Sequence, residues 1–313
     1  MLEPLTSACP PEIGSERRSG RGDTWDARPG SLVTVSVMNA DPATDPAADV
    51  TPAGVATADA PSIPRLRAEV LIVLGLSLGQ SAVYAIIALI RRYMATAPIG
   101  KQSTTLNPSL SSINYLNIIY QVLSIAFALV PVALALYLLS SHGGSWRARL
   151  GLNRNGRSRW RDVGLGFGLA AAIGLPGLGL YAVGRAIGQT VRIDTSGLPH
   201  QWWSAVILLA SAGVAGMLEE VIVVGYLITR LQEMRWSLPV AILASALLRG
   251  TYHLYQGWPM ALGNAVMGAV FAWVFVRTGR LGPLILAHWT LDAVSFIGPD
   301  VVPASWINAL NGG

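Results

Sequence analysis

The chain has 313 residues, 52% hydrophobic and 12% charged, with a mean hydropathy of +0.48. Soluble domains carry about 25% charged residues, and ten of the 17 acidic residues here lie at or before Glu69, which leaves too little charge afterwards for a water-facing surface. The net charge of +5 comes from arginines set in short segments between apolar runs, which excludes a nucleic-acid-binding face, and a single cysteine, Cys9, excludes a disulfide framework or a cysteine-rich metal site.

Residues 1–64 are rich in Pro, Ala, Asp, Ser and Thr, with few large apolar side chains. Such a segment cannot bury enough surface to fold, and it is expected to be a disordered cytoplasmic tail. No apolar run follows its early arginines, so it does not have the pattern of a signal peptide, and Met38 is an alternative start. From residue 65 to 313 the chain reads as an all-α, polytopic transmembrane helical bundle. Seven apolar runs near membrane-spanning length are expected to be helices at 69–90, 114–139, 162–187, 203–229, 237–255, 260–276 and 282–298, with an eighth short segment open at 300–311. Turn residues sit between them: Gly143-Gly144, Pro199, Gly257-Trp258-Pro259, Gly279 and Gly282-Pro283.

Arg147, Arg149, Arg154, Arg157, Arg159 and Arg161 crowd the connector at 142–161, which marks it as cytoplasmic. Counting outward places the amino terminus, Arg230, Arg235, Arg277 and Arg280 on the cytoplasmic side of a multi-pass protein of the plasma membrane. Arg91, Arg92 and Lys101 conflict with that scheme.

Ionisable groups within transmembrane segments are costly unless they face the bundle interior and find partners. Six fall in three of the expected helices: Glu219 and Glu220, Arg249 and His253, His288 and Asp292. At about 1.5 Å of rise per residue, Glu219 lies ~16 Å from Arg230, His253 ~24 Å from Ser237, and His288 and Asp292 ~10 and ~16 Å from Leu281. In a hydrocarbon core of about 30 Å these depths straddle the midplane and permit one shared site. His288 and Asp292 are four apart and share a helix face, as do Arg249 and His253. Glu219 and Glu220 are adjacent and point about 100° apart, so they are expected to have different jobs. Two histidines with carboxylates suit zinc, or a water activated by a carboxylate and an imidazole. Taken separately, each histidine reads as a helix–helix hydrogen-bond donor. Tyr252, Tyr255 and Trp258 read as interfacial anchors, Gly213, Gly216 and Gly225 as points of close helix approach, and His142 and His200 receive no role.

These residues resemble the CPBP intramembrane proteases, which include the type II CAAX prenyl endopeptidases. The matching segments are Glu219-Glu220 through Leu227, Arg249-Gly250-Thr251-Tyr252-His253, and His288-Trp289-Thr290-Leu291-Asp292, in the family's order and on separate helices. The resemblance covers roughly 203–298. It implies an intramembrane metalloendopeptidase, a hydrolase acting on membrane-embedded or lipid-anchored proteins and peptides. By the same resemblance, Glu219 and His253 activate the attacking water or bind a metal. His288 and Asp292 complete the site, and Glu220 supports it. The implied cofactor is Zn2+, held by Glu219, His253 and His288. Two positions depart from the family pattern: Val224 stands where the family has arginine, and Arg249 where it has an aromatic residue. We read these as one change, with Arg249 supplying across helices the partner that Glu220 lacks on its own helix. An ion-coupled transporter and a non-catalytic scaffold are the competing functions, and neither inverted repeats nor broken helices are evident for the transporter.

Overall fold

The computed structural model describes residues 61–141, 144–152, 156–194, 197–199, 201–303 and 305–307. The expected tail up to residue 60, Met38, His142 and His200 lie outside the described residues. What is described is an all-α bundle: α1 (Ile63–Gly75), α2 (Leu78–Met94), α3 (Asn114–Ser140), α4 (Trp146–Arg149), α5 (Gly156–Ala186), α6 (Trp202–Glu219), α7 (Leu227–Glu233), α8 (Leu238–Tyr252), α9 (Trp258–Thr278) and α10 (Gly282–Val301). Two three-residue strands, β1 (Ser103–Thr105) and β2 (Arg192–Asp194), pair in parallel.

The expected run at 69–90 is two helices, not one. Pro64 opens α1, whose Leu66, Val70 and Val73 bury one stripe, and the chain breaks after Gly75 with a bend of 54° into α2. Ser77 Oγ donates back to the Val73 carbonyl at 2.6 Å, and a side chain at Gly79 would stand 2.7 Å from the Leu74 carbonyl oxygen. The bend is closed by local hydrogen bonding and needs glycine at its inner surface.

By length and apolarity four segments can each cross a membrane: Asn114–Ser140, Arg159–Ala186, Trp202–Glu233 and Trp258–Thr278. The bent α1–α2 pair makes a fifth. The seven expected runs are all helical, but seven full spans are not obtained. The 15 residues of α8 reach only about 22 Å, short of a core of about 30 Å. The 20 residues of α10 include His288, Asp292 and Pro299. The multi-pass architecture stands, and four or five complete crossings follow from length and apolarity among the described residues.

The third segment is also not a plain helix. Between α6 and α7 the residues Glu220–Tyr226 form a π-helix, with every one of the seven buried. Such turns are rare, bond residue i to i+5, and cluster at functional sites. Here the change of register begins at the second glutamate.

The connectors gather at two ends. At one end Leu281 N donates to the Leu150 carbonyl at 3.0 Å, Arg149 pairs with Glu233 at 2.6 Å, and Arg280 pairs with Asp162. At the other, the β1–β2 pair joins the segments after α2 and α5, and Val191 N donates to the Gln256 carbonyl at 3.1 Å. Gly257 has a φ of 109°, and a side chain there would fall 2.2 Å from the Gln189 carbonyl oxygen.

Arg230, expected as a simple cytoplasmic flank, is fully buried. Its guanidinium meets Glu233 at 2.6 Å, the Leu138 carbonyl at 2.6 Å and Glu69 at 3.3 Å. One side chain therefore ties α7 to α1 and α3. Removing one member of a buried pair costs about 3–5 kcal/mol, whereas an exposed substitution changes stability by about 0.5 kcal/mol or less. Arg230→Ala should therefore lower the melting temperature of the detergent-purified protein sharply, and Arg147→Ala, on an exposed residue of α4, should leave it within error.

Candidate active site

Three helices and the π-helical segment bring the site together. Glu219 closes α6 and Glu220 opens the π segment; Arg249 and Tyr252 lie in the last turn of α8; His288 and Asp292 lie on one face of α10. Glycines let these elements approach. A Cβ at Gly216 would lie 3.4 Å from His288 Cβ and 3.2 Å from Trp289 N, so α6 and α10 pack almost backbone to backbone there. A Cβ at Gly268 would press on Arg249 Cδ at 3.1 Å, so α9 leaves the channel through which the arginine passes.

Glu220 is the centre of the buried array. Its Oε1 accepts from Arg249 Nη2 at 2.5 Å and lies 2.7 Å from His288 Nδ1. A carboxylate accepts, so His288 Nδ1 carries the hydrogen, and this turns Nε2 toward the opposite side. There Nε2 lies 3.8 Å from Glu219 Oε2 and 3.6 Å from Asp292 Oδ2. Arg249 is wholly buried, stacks over the Phe271 ring at 5.6 Å, and reaches Glu219 Oε2 at 3.8 Å. Glu220 is wholly buried as well, whereas the side chains of Glu219 and Asp292 are 13% and 24% exposed. The adjacent glutamates thus face different surroundings: Glu220 is fully buried between Arg249 and His288, and Glu219 is partly exposed.

The structure joins Glu219, Glu220, Arg249, His288 and Asp292 in one contiguous array. His253 sits beside it. Its Nδ1 lies 3.0 Å from the Arg249 carbonyl, which can only accept, so Nδ1 is the protonated nitrogen. Among the described residues His253 makes no ion pair with a carboxylate, and it meets the site through the Tyr252 ring, 4.8 Å away. Tyr252 is the residue that sequence reasoning misplaced. It is 5% exposed and no interfacial anchor, and its hydroxyl donates to Glu219 Oε2 at 2.7 Å. The one available signal was its position beside His253, where α8 ends and successive residues no longer diverge as they do inside a helix.

Imidazoles and carboxylates are ligands that zinc accepts. Their arrangement here does not fit the expected set. Among the described residues no group of three or more His, Cys, Asp or Glu is placed to hold one ion. Arg249 already sets a fixed positive charge 3.8 Å from the Glu219 oxygen that a metal would share.

The array predicts that stability and chemistry separate at Glu220. Arg249→Ala leaves Glu220 buried without its cation and should lower the melting temperature by more than Glu220→Gln/Arg249→Met, because removing both charges of a buried pair costs less than stranding one. Thermal unfolding of both variants in one detergent checks the order. Val224 is fully buried within the π segment, so an arginine there would have to displace packed core. Val224→Arg should not rescue Arg249→Ala.

Residues 201–294 match the family model described as type II CAAX prenyl endopeptidase Rce1-like. All of the site residues fall inside that range. No curated protein and no solved structure matches the chain.

Proposed function

From the Rce1-like character of residues 201–294, we propose that the protein is an intramembrane endopeptidase acting on membrane-embedded or lipid-anchored proteins and peptides. The observation that carries the reading is the largely buried, partly exposed Glu219 carboxylate, 3.8 Å from an imidazole that a second, buried glutamate holds in position. A carboxylate general base needs such a setting: it must meet one water molecule while the surrounding bundle excludes bulk solvent.

In the reaction Glu219 takes a proton from water as the oxygen attacks the peptide carbonyl carbon. The carbonyl oxygen becomes an oxyanion, and the proton passes to the leaving nitrogen as the C–N bond breaks. Glu220 acts through His288, fixing its tautomer as the buried aspartate does in a catalytic triad. His288 Nε2 and the partly exposed Asp292 flank the reacting centre, and His253 assists the water. On this reading the protein lies in the plasma membrane with its amino terminus in the cytoplasm, in keeping with the arginine-bearing connectors that share one end of the bundle.

The test compares new protein termini in membranes from cells carrying wild type or Glu219→Gln at matched expression. A positioned general base contributes about 10^2–10^4-fold, so termini made by the wild type should fall at least about 100-fold in the variant. Equal termini from both folded proteins would favour the non-catalytic scaffold instead. The metal-free reading also predicts that cleavage by purified protein persists after dialysis against 1,10-phenanthroline. Activity lost there and restored by zinc would return a metal to the site.

A further inference from the structure

We propose that Tyr252 is a positioning residue that decides which oxygen of Glu219 acts as the base. The proposal rests on the endopeptidase reading and adds a residue to it.

Among the described residues, the hydrogen bond and the two ion pairs of the Glu219 carboxylate fall on the same oxygen. Tyr252 Oη donates to Oε2 at 2.7 Å, Arg249 Nη1 lies 3.8 Å from Oε2, and His288 Nε2 lies 3.8 Å from Oε2. The Tyr252 bond is the shortest of the three and the one with hydrogen-bond geometry. Oε1 accepts no hydrogen bond among the described residues, and the side chain is 13% exposed. A carboxylate held at one oxygen keeps the other free in a fixed direction, as an oriented base requires. Tyr252 is itself held in place. It is 5% exposed, packs against the His253 ring at a centroid distance of 4.8 Å, and sits at the end of α8, whose preceding turn carries Arg249.

The chemistry follows from the free oxygen. Oε1 accepts the proton of the attacking water and hands it to the leaving nitrogen, so it is ionised again at the end of the cycle. Tyr252 keeps its proton throughout and donates to Oε2 before and after the transfer. It neither gains nor loses charge, and the cycle balances without it. Without the phenol the carboxylate can rotate toward Arg249, only 3.8 Å away, and present both oxygens to the cation instead of one to the water.

The experiment measures kcat and KM with a quenched-fluorescence peptide, in detergent, spanning a bond found in the comparison of termini. Wild type, Tyr252→Phe and Glu219→Gln are assayed, with melting temperatures for each. Tyr252→Phe removes one oxygen and no ring surface. The turnover rate of this variant should drop at least about 10-fold, with KM and melting temperature unchanged. Wild-type turnover in Tyr252→Phe, beside an inactive Glu219→Gln, overturns the proposal and leaves the endopeptidase reading intact. A loss that comes as a raised KM or a lowered melting temperature assigns Tyr252 to packing and overturns it equally. Full activity in Glu219→Gln would defeat the reading itself, and the proposal with it.

Discussion

The buried pair between Arg249 and Glu220 is the interaction on which the rest of the protein depends. Neither charge is tolerable alone in an apolar interior, since an unpaired ion there costs several kcal/mol. With the pair formed, each neighbouring element is constrained. The glycine at 268 leaves room for the guanidinium, Phe271 offers it a ring face, and His288 takes its place on the same carboxylate oxygen. The three helices that carry the site are therefore located by one electrostatic requirement and then packed around it. A chain that moved the arginine back to the helix of the two glutamates would have to solve the packing of α8 against α9 afresh.

Arg230 meets the same requirement at the other end of the same helical segment, with a different consequence. Its partners, Glu69, Glu233 and the Leu138 carbonyl, come from α1, α7 and α3. Arg149 adds the short α4 through Glu233. This network fastens the periphery to the central segment and touches no part of the candidate site. Arg249 and Arg230, both fully buried, divide the work: one holds the candidate site together, and the other anchors the helices around it.

Much of this was legible in the residues because a membrane makes polar groups informative. Glu219, Glu220, Arg249, His288 and Asp292 stand out from apolar runs, and the i,i+4 spacing of His288 and Asp292 carries directly into their shared face. What could not be read depends on contacts between elements. The bend between Gly75 and Leu78 has no proline to announce it, and it is fixed by a serine hydroxyl that also fits an unbroken helix. Arg230 looks like any flanking cation until Glu69, 161 positions earlier, is folded against it. Tyr252 lies at the end of a short helix, where the angular rule that separates neighbouring side chains stops applying. The count of seven spans was not obtained for a related reason. Hydropathy windows merge short and interrupted helices into spans, while α8 ends early to deliver Tyr252 and His253 to the interior.

The π segment begins where two adjacent carboxylates take different surroundings. A regular α-helix already turns Glu219 and Glu220 about 100° apart, and the π segment changes the register of the residues that follow them. The transition to i,i+5 bonding at Glu220 inserts slack at that point. One glutamate is seated fully between Arg249 and His288 while its neighbour stays partly exposed. Nothing in Glu-Val-Ile-Val-Val-Gly-Tyr favours such a turn intrinsically, for β-branched residues are poor helix formers and gain nothing from the altered bonding. Its stability must come from burial, and all seven residues are buried. That packing in the apolar core carries an unusual backbone, and beside it one carboxylate stays partly exposed while its neighbour is fully buried.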